Sequence, residues 1–331
     1  MNPSEDHPET QSATRTEPRT EKHTEKRVGL LFGREWSFPP AFVEEINRRE
    51  AGVSAEYVQL GGIRLDAPCP YDVIVDRISH EVPYYRTYLK QAALQGAYII
   101  NNPFLWSADD SFFQTGLAEK LGVAVPRTVL LPMKTYPPGI DEESLRNLEY
   151  PLDWQAMLHY VGTPAVLKDV MGGRQYYAVI DSLESLLFAY DHSDGAVMLF
   201  QEYIEWDVFV RCLCIGRDNV LPIPFDPDAG VYLVDEPILE LALRDRVAHD
   251  AQVLSRALGY DMNCIDFAVR NGVPYAIDLF NPAPALDVNI LSPYYFDWTV
   301  KMMADYVVDV AHAPPPPYDT SPDMPPRCLP S

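Results

Sequence analysis

The segment Met262–Pro284, MNCIDFAVRNGVPYAIDLFNPAP, constrains this chain more than any other. Two apolar runs flank Asn271–Gly272, a pair that tolerates positive φ at both central positions of a two-residue turn, so a β-hairpin is expected. Each strand carries one aspartate among apolar neighbours, Asp266 on the first and Asp278 near the end of the second. Carboxylates seldom sit there without a partner, because desolvating an unpaired charge is costly. Asn281 follows in NPAP, where prolines stiffen the backbone. Two carboxylates and an amide oxygen converging across a hairpin are hard-oxygen donors suited to Mg2+. Taken alone, the pair fits two solvated strand-edge residues equally well.

The chain upstream divides into two textures. From Val28 to Pro103 strand-like runs alternate with helical patterns: Val28–Phe32, a helix at Pro40–Arg49, Ala55–Leu60, Tyr71–Asp76, a helix at Tyr84–Gln95, then AYIINNP. That alternation predicts a parallel sheet covered on both faces. After a helix at Asp109–Leu121 and the connector VAVPRTVLLP, strands come in neighbouring pairs: PAVLKDV, YYAVI, VMLFQEYI and WDVFVRCLCIG, with helices at Ser182–Tyr190 and Glu240–Leu258. Adjacent strands of this kind predict antiparallel sheets. The expected organisation is a polar tail over 1–27, an α/β domain over 28–106, an α+β region over 107–312 split near 205, and a Pro-rich tail over 313–331. Both tails lack runs that could form a core.

Lys168 ends the strand PAVLK, and Gly172, Gly173 and Arg174 follow. A lysine before a loop whose backbone can approach closely is one way to hold a phosphate. Neither a Walker-type nor a GxGxxG motif occurs, which disfavours P-loop and dinucleotide readings. In LFQEYI an apolar strand ends at Glu202, Tyr203 and Ile204, whose backbone could meet an adenine edge. After the first strand, FGREWSF places Arg34, Glu35 and Trp36 where α/β proteins bind ligands. Arg77, after the third strand, could clamp a substrate carboxylate in a bidentate fork; a surface role suits these residues equally.

The order of these features (lysine on a strand, glycine loop, QEYI, a strand with Arg211, and the Asp–Asp-x-x-Asn hairpin) resembles the ATP-grasp superfamily over about residues 98–290. The likeness is nearest to ligases that join amino acids to carboxylates, such as ribosomal-protein glutamate ligases and D-alanine ligases. The resemblance implies that Lys168 contacts adenine and the α-phosphate, that Gly172, Gly173 and Arg174 form a phosphate lid, and that Glu202 and Ile204 line the adenine hinge. It further implies Asp207 on the ribose, Asp266, Asp278 and Asn281 on Mg2+, and Arg211 on the transferring phosphoryl group. ATP and Mg2+ are the implied cofactors. The implied reaction activates a carboxylate as an acyl phosphate, which expels phosphate far more readily than a carboxylic acid expels hydroxide.

Two departures stand out. Asp110–Ser111 replaces the superfamily's frequent Asp-Lys, removing one cation from the phosphates. Phe280 occupies the position two residues after the acidic ligand where the metal-binding amide usually stands, and Asn281 comes one later; a bulge would restore it. These departures keep a non-catalytic nucleotide-binding or scaffold protein open as a second reading. A small-molecule kinase, with a hydroxyl accepting the phosphoryl group, is the third.

Composition narrows the partners. A formal net charge of -22 opposes a nucleic-acid groove or an anionic membrane surface. No stretch approaches the roughly 20 apolar residues of a membrane span, and the polar start lacks the apolar core of a signal peptide, so a cytoplasmic protein is expected. The five cysteines, without metal-type spacing, read as reduced structural thiols. Small-molecule carboxylate and amine substrates are the expected partners, and a homodimer is compatible with the sequence.

Overall fold

The computed structural model describes residues 25–172, 177–234 and 239–314. Its first unit contains β1 (Lys26–Leu31), α1 (Phe38–Arg48), β2 (Val53–Tyr57), β3 (Val73–Asp76), α2 (Pro83–Leu94) and β4 (Tyr98–Ile100). The strands form the expected parallel sheet, in the order β2-β1-β3-β4. Successive side chains alternate between two cores. Val28, Leu30, Val73 and Val75 meet Phe42 and Ile46 of α1, while Leu31, Ile74 and Ile99 meet Leu89 and Ala92 of α2. β1 begins at Lys26, two residues inside the segment expected to be tail. Asp72 accounts for this: it pairs with Lys26 Nζ at 2.8 Å and accepts the Arg27 N–H at 2.9 Å.

The second unit follows α3 (Pro103–Trp106) and α4 (Ser111–Lys120). It comprises β5 (Thr128–Leu131), α5 (Trp154–Val161), β6 (Ala165–Asp169), β7 (Tyr177–Ile180), α6 (Leu183–Asp191) and β8 (Met198–Glu202). The sheet is antiparallel, ordered β5-β8-β6-β7. Leu167, Ile180 and Phe200 bury one face beneath α5 and α6. Val166 and Lys168 alternate to the other face.

The third unit comprises β9 (Val208–Ile215), β10 (Asn219–Asp226), β11 (Val231–Tyr232), α7 (Leu241–Leu258), β12 (Met262–Arg270), β13 (Val273–Asp278) and α8 (Val288–His312). Its antiparallel order is β11-β10-β9-β12-β13. Asn271 and Gly272 take φ of 52° and 73° in the β12–β13 turn, as the Asn-Gly pair predicts. One face packs on α7 through Cys212, Ile265 and Phe267. The other, with Leu213, Met262 and Cys264, joins the core of the first unit.

β10 escapes sequence reading because Pro222 and Pro224 interrupt it. The Leu233 N–H donates to the Pro224 carbonyl at 2.9 Å, so the backbone groups of Pro224, and of Pro222 two residues earlier, face the β11 side. The missing N–H groups therefore cost nothing in the β9–β10 ladder. α8 is bent at Ser292 (φ 67°, ψ 158°), just before Pro293, and its later turns lay Met303, Val307 and Val310 against β1 and α1. No helix among the described residues is long and apolar enough to cross a membrane.

Candidate nucleotide and metal site

Strand register assembles the core of the site. Arg211 on β9 lies opposite Asp266 on β12, and Asp266 opposite Asp278 on β13, so the three form one row across adjacent strands. Arg211 and Asp266 share the face that includes Leu213 and Cys264. The guanidinium grips Asp266 bidentately, Nε to Oδ1 at 2.8 Å and Nη2 to Oδ2 at 2.7 Å, and stacks 3.9 Å over the Phe225 ring. Burial opposes the charged guanidinium, but the Asp266 carboxylate outweighs it and holds the Arg211 pKa above its ordinary value.

Asp278 reaches this face through a β-bulge. The ladder pairs Phe267 with Ala276 but Asp266 with Asp278, leaving Ile277 as the extra residue. Ala276 packs toward α7 and Ile277 toward the opposite core. Simple alternation would return Asp278 to the α7 side; the bulge keeps it on the Asp266 face instead. Asp278 ends β13 at an exposed position. Burial, then the neighbouring Asp266 charge, pushes its carboxyl up to about 6, with Lys168 pulling the other way.

Lys168 approaches from the other antiparallel sheet, its Nζ donating to the Ile277 carbonyl at 3.0 Å. Burial lowers its pKa, opposed by Asp278. Gly172, at φ 77°, follows β6, and none of the described residues comes within 4 Å of where a Cβ would stand. Gly173 and Arg174 lie outside the described residues. The Ser111 N–H donates to the Val170 carbonyl at 3.0 Å, placing the start of α4 at the root of the Gly172 loop. Asp110 caps that helix through the Phe113 N–H at 2.8 Å.

At the end of β8 the Glu202 carboxylate is held by Arg127 (2.9 Å) and Arg270 (3.1 Å). The two cations outweigh its burial and lower its pKa. Tyr203 N–H donates to the Pro164 carbonyl. Ile204 is buried, and its N–H has no acceptor among the described residues. Asp207 accepts the Asn271 N–H at 2.8 Å, so one carboxylate oxygen closes the β12–β13 turn.

The N-terminal loops require a correction. Arg77 is not free to clamp a substrate: its side chain is 1% exposed, forks onto Glu35, and donates to the Pro284 carbonyl. It ties the first unit to the loop after Asn281. Asp287 strengthens that tie by accepting the Trp36 N–H, the Ser37 N–H and the Ser37 hydroxyl, while Ser37 Oγ accepts the Val288 N–H. Arg34 and Trp36 remain exposed on the same loop. Sequence reasoning overlooked Glu35 as the partner of Arg77 and Arg127 and Arg270 as partners of Glu202, because paired residues far apart in the chain leave no local pattern.

Asp266, Asp278 and the Asn281 amide oxygen could hold a divalent cation. Asp266 retains lone pairs beyond those taken by Arg211, and Asp278 lies opposite it in the same row. No cluster of three or more His, Cys, Asp or Glu side chains suited to a metal occurs among the described residues, and the Asn281 amide oxygen accepts the Ala283 N–H at 3.3 Å. A wide recess of about 910 Å³ lined by Lys26, Asn47, Gly52 and His312 lies at the N-terminal ends of β1 and β2, away from this row and on the wrong side of a parallel sheet for a ligand site.

No family model and no curated protein matches the chain. Solved structures do. A D-alanine–D-alanine ligase from Bacillus anthracis complexed with ATP superposes with a TM-score of 0.55 at 16% identity, covering 87% of this chain and 97% of the other. A RimK domain ATP-grasp protein from Sphaerobacter thermophilus gives 0.58 at 20%, covering 85% and 99%. The VanG D-Ala:D-Ser ligase from Enterococcus faecalis gives 0.59 at 12%, covering 87% and 99%. With a parallel N-terminal sheet, two antiparallel sheets that meet where Lys168 reaches the Ile277 carbonyl, and this breadth of superposition, the chain has the ATP-grasp fold.

Proposed function

We propose that this protein is an ATP- and Mg2+-dependent ligase that activates a carboxylate as an acyl phosphate for attack by an amine. The observation that carries this reading is the Arg211–Asp266–Asp278 row with Lys168 facing it from the opposing sheet. Lys168 would bind phosphate oxygens, the Ile204 N–H would meet the adenine edge, and Asp207 would offer its second oxygen to the ribose. Asp266, Asp278 and Asn281 would hold Mg2+, which supplies charge neutralisation for phosphoryl transfer. Arg211, kept charged by Asp266, would stabilise the phosphoryl group in transit. Arg34 stands as the cation for a substrate carboxylate. Structural neighbours that join amino acids, one of them complexed with ATP, support the same class.

The test is calorimetry of a non-hydrolysable ATP analogue with and without Mg2+, followed by ADP release across a panel of carboxylates and amines with hydroxylamine trapping. Mg2+-strengthened binding and a trapped hydroxamate are expected. A stable phosphomonoester would identify a kinase instead. One observation favours a non-catalytic nucleotide binder: Ser111 stands at the root of the Gly172 loop where a lysine would reach the phosphates. Binding without turnover on any substrate would support that second reading.

A further inference from the structure

Beyond Asp278 the β12–β13 ladder slips a second time. If the Asp266–Asp278 register continued, Cys264 would face Phe280; instead its N–H donates to the Asn281 carbonyl at 3.0 Å. One extra residue is thus absorbed between Asp278 and Asn281. The side chains follow the slip. Leu279 and Phe280 both pack on the α7 side, Phe280 against Tyr260 at 4.4 Å between centroids, and Asn281 follows with its amide oxygen accepting the Ala283 N–H at 3.3 Å.

A displaced segment of this kind loses its regular ladder bonds, and buried backbone groups need replacements. Asn263, on β12 and 1% exposed, supplies both. Its Nδ2 donates to the Leu279 carbonyl at 2.8 Å and its Oδ1 accepts the Asn281 N–H at 2.9 Å, spanning Phe280. No other side chain of comparable reach does this: Leu, Ala or Val would leave the Leu279 carbonyl and Asn281 N–H without partners, and Gln would be one methylene too long.

We infer that Asn263 is a positioning residue for the metal site: its carboxamide holds the second register slip that turns Asn281 toward Asp266 and Asp278. Asn263 touches no substrate; it acts through the backbone of the residue whose amide joins the carboxylates. The inference rests on the ligase reading for the purpose of Asn281, but the clamp itself is independent of it.

Asn263→Ala should be compared with the natural protein by amide hydrogen exchange without ligand and by binding of a non-hydrolysable ATP analogue across a Mg2+ titration. The Asn281 and Cys264 amides are expected to lose protection. Analogue affinity without metal should stay within about twofold, while the Mg2+ midpoint rises tenfold or more, the range for groups that orient metal ligands. Retained protection, or an unchanged midpoint in the folded variant, overturns the inference. Should Asn263→Ala not fold, Asn263→Asp keeps the acceptor for the Asn281 N–H and loses the Leu279 contact. It is expected to keep Asn281 protected, and an exposed Asn281 amide there overturns the clamp. If the natural protein binds the analogue with no Mg2+ dependence, the ligase reading fails while the exchange pattern still decides the role of Asn263.

Discussion

Replacing Glu35 by alanine tests whether Arg77 is a structural tie or a substrate clamp. The Arg77 side chain is 1% exposed and Glu35 13%, and the guanidinium lies 5.3 Å over the Phe38 ring. Removing the carboxylate leaves a buried cation with the Pro284 carbonyl, the Met262 sulfur at 3.5 Å and an aromatic face for compensation. Breaking one half of a buried pair costs about 3–5 kcal/mol, and the three remaining contacts place the expectation near the lower end, about 3 kcal/mol. For 331 residues an unfolding entropy of about 2.1 cal/mol/K per residue makes each kcal/mol worth about 1.5 °C in Tm, so thermal unfolding followed by circular dichroism should show a fall of about 4–5 °C. Arg77→Met alone should destabilise less than Glu35→Ala, because it strands a carboxylate with some access to water. The double variant should lose much less stability than the two single losses summed. A fall below about 2 °C in Glu35→Ala, accompanied by a raised KM for a carboxylate substrate in Arg77→Met, would refute the structural tie.

Lys168→Ala should weaken nucleotide binding at least tenfold by calorimetry, since it removes a half-buried cation beside the Asp266–Asp278 row; unchanged affinity would misplace the site. Asp278, pushed up to about 6, binds protons in the folded state that the unfolded chain has already released above its ordinary value of 3.8. Its contribution to stability therefore falls as pH rises from about 4 to about 6. In metal-free buffer, the Tm of the natural protein minus that of Asp278→Asn should decline across that window, and a flat difference would contradict the assignment. Ser111→Lys should strengthen binding of ATP but not of adenosine, given its place at the root of the Gly172 loop; equal gains for both would rule out a phosphate contact. Gly216, at φ 64°, would set a Cβ 2.7 Å from the Tyr306 ring, so Gly216→Ala should lower Tm by several degrees, and a neutral result would show that α8 yields easily.

The clarity of the sequence depended on how local each determinant was. The Asn-Gly turn and the alternating runs around it make the β12–β13 hairpin readable, and aspartates among apolar neighbours point to Asp266 and Asp278 directly. The two register slips that aim Asp278 and Asn281 are invisible in the pattern, because period-two reading assumes unbroken alternation. Pro222 and Pro224 conceal β10, since a strand with two prolines becomes legible only once its edge side is known. Pro293 conceals the long run of α8 in the same way. Arg77 looked available for a substrate because nothing in the sequence links it to Glu35, which lies on a separate loop of the parallel sheet.

The return of α8 to the parallel sheet has a consequence for the order in which the chain can be built. Val28, Leu30 and Phe42, among the earliest core residues, are covered by Met303, Val307 and Val310 at the far end of the sequence. During synthesis α1 alone can cover that face of the first sheet until α8 has left the ribosome. The N-terminal unit can form its strands early, yet it cannot complete this core before α8 is made, and the apolar surface that α8 covers must stay clear of other chains until then.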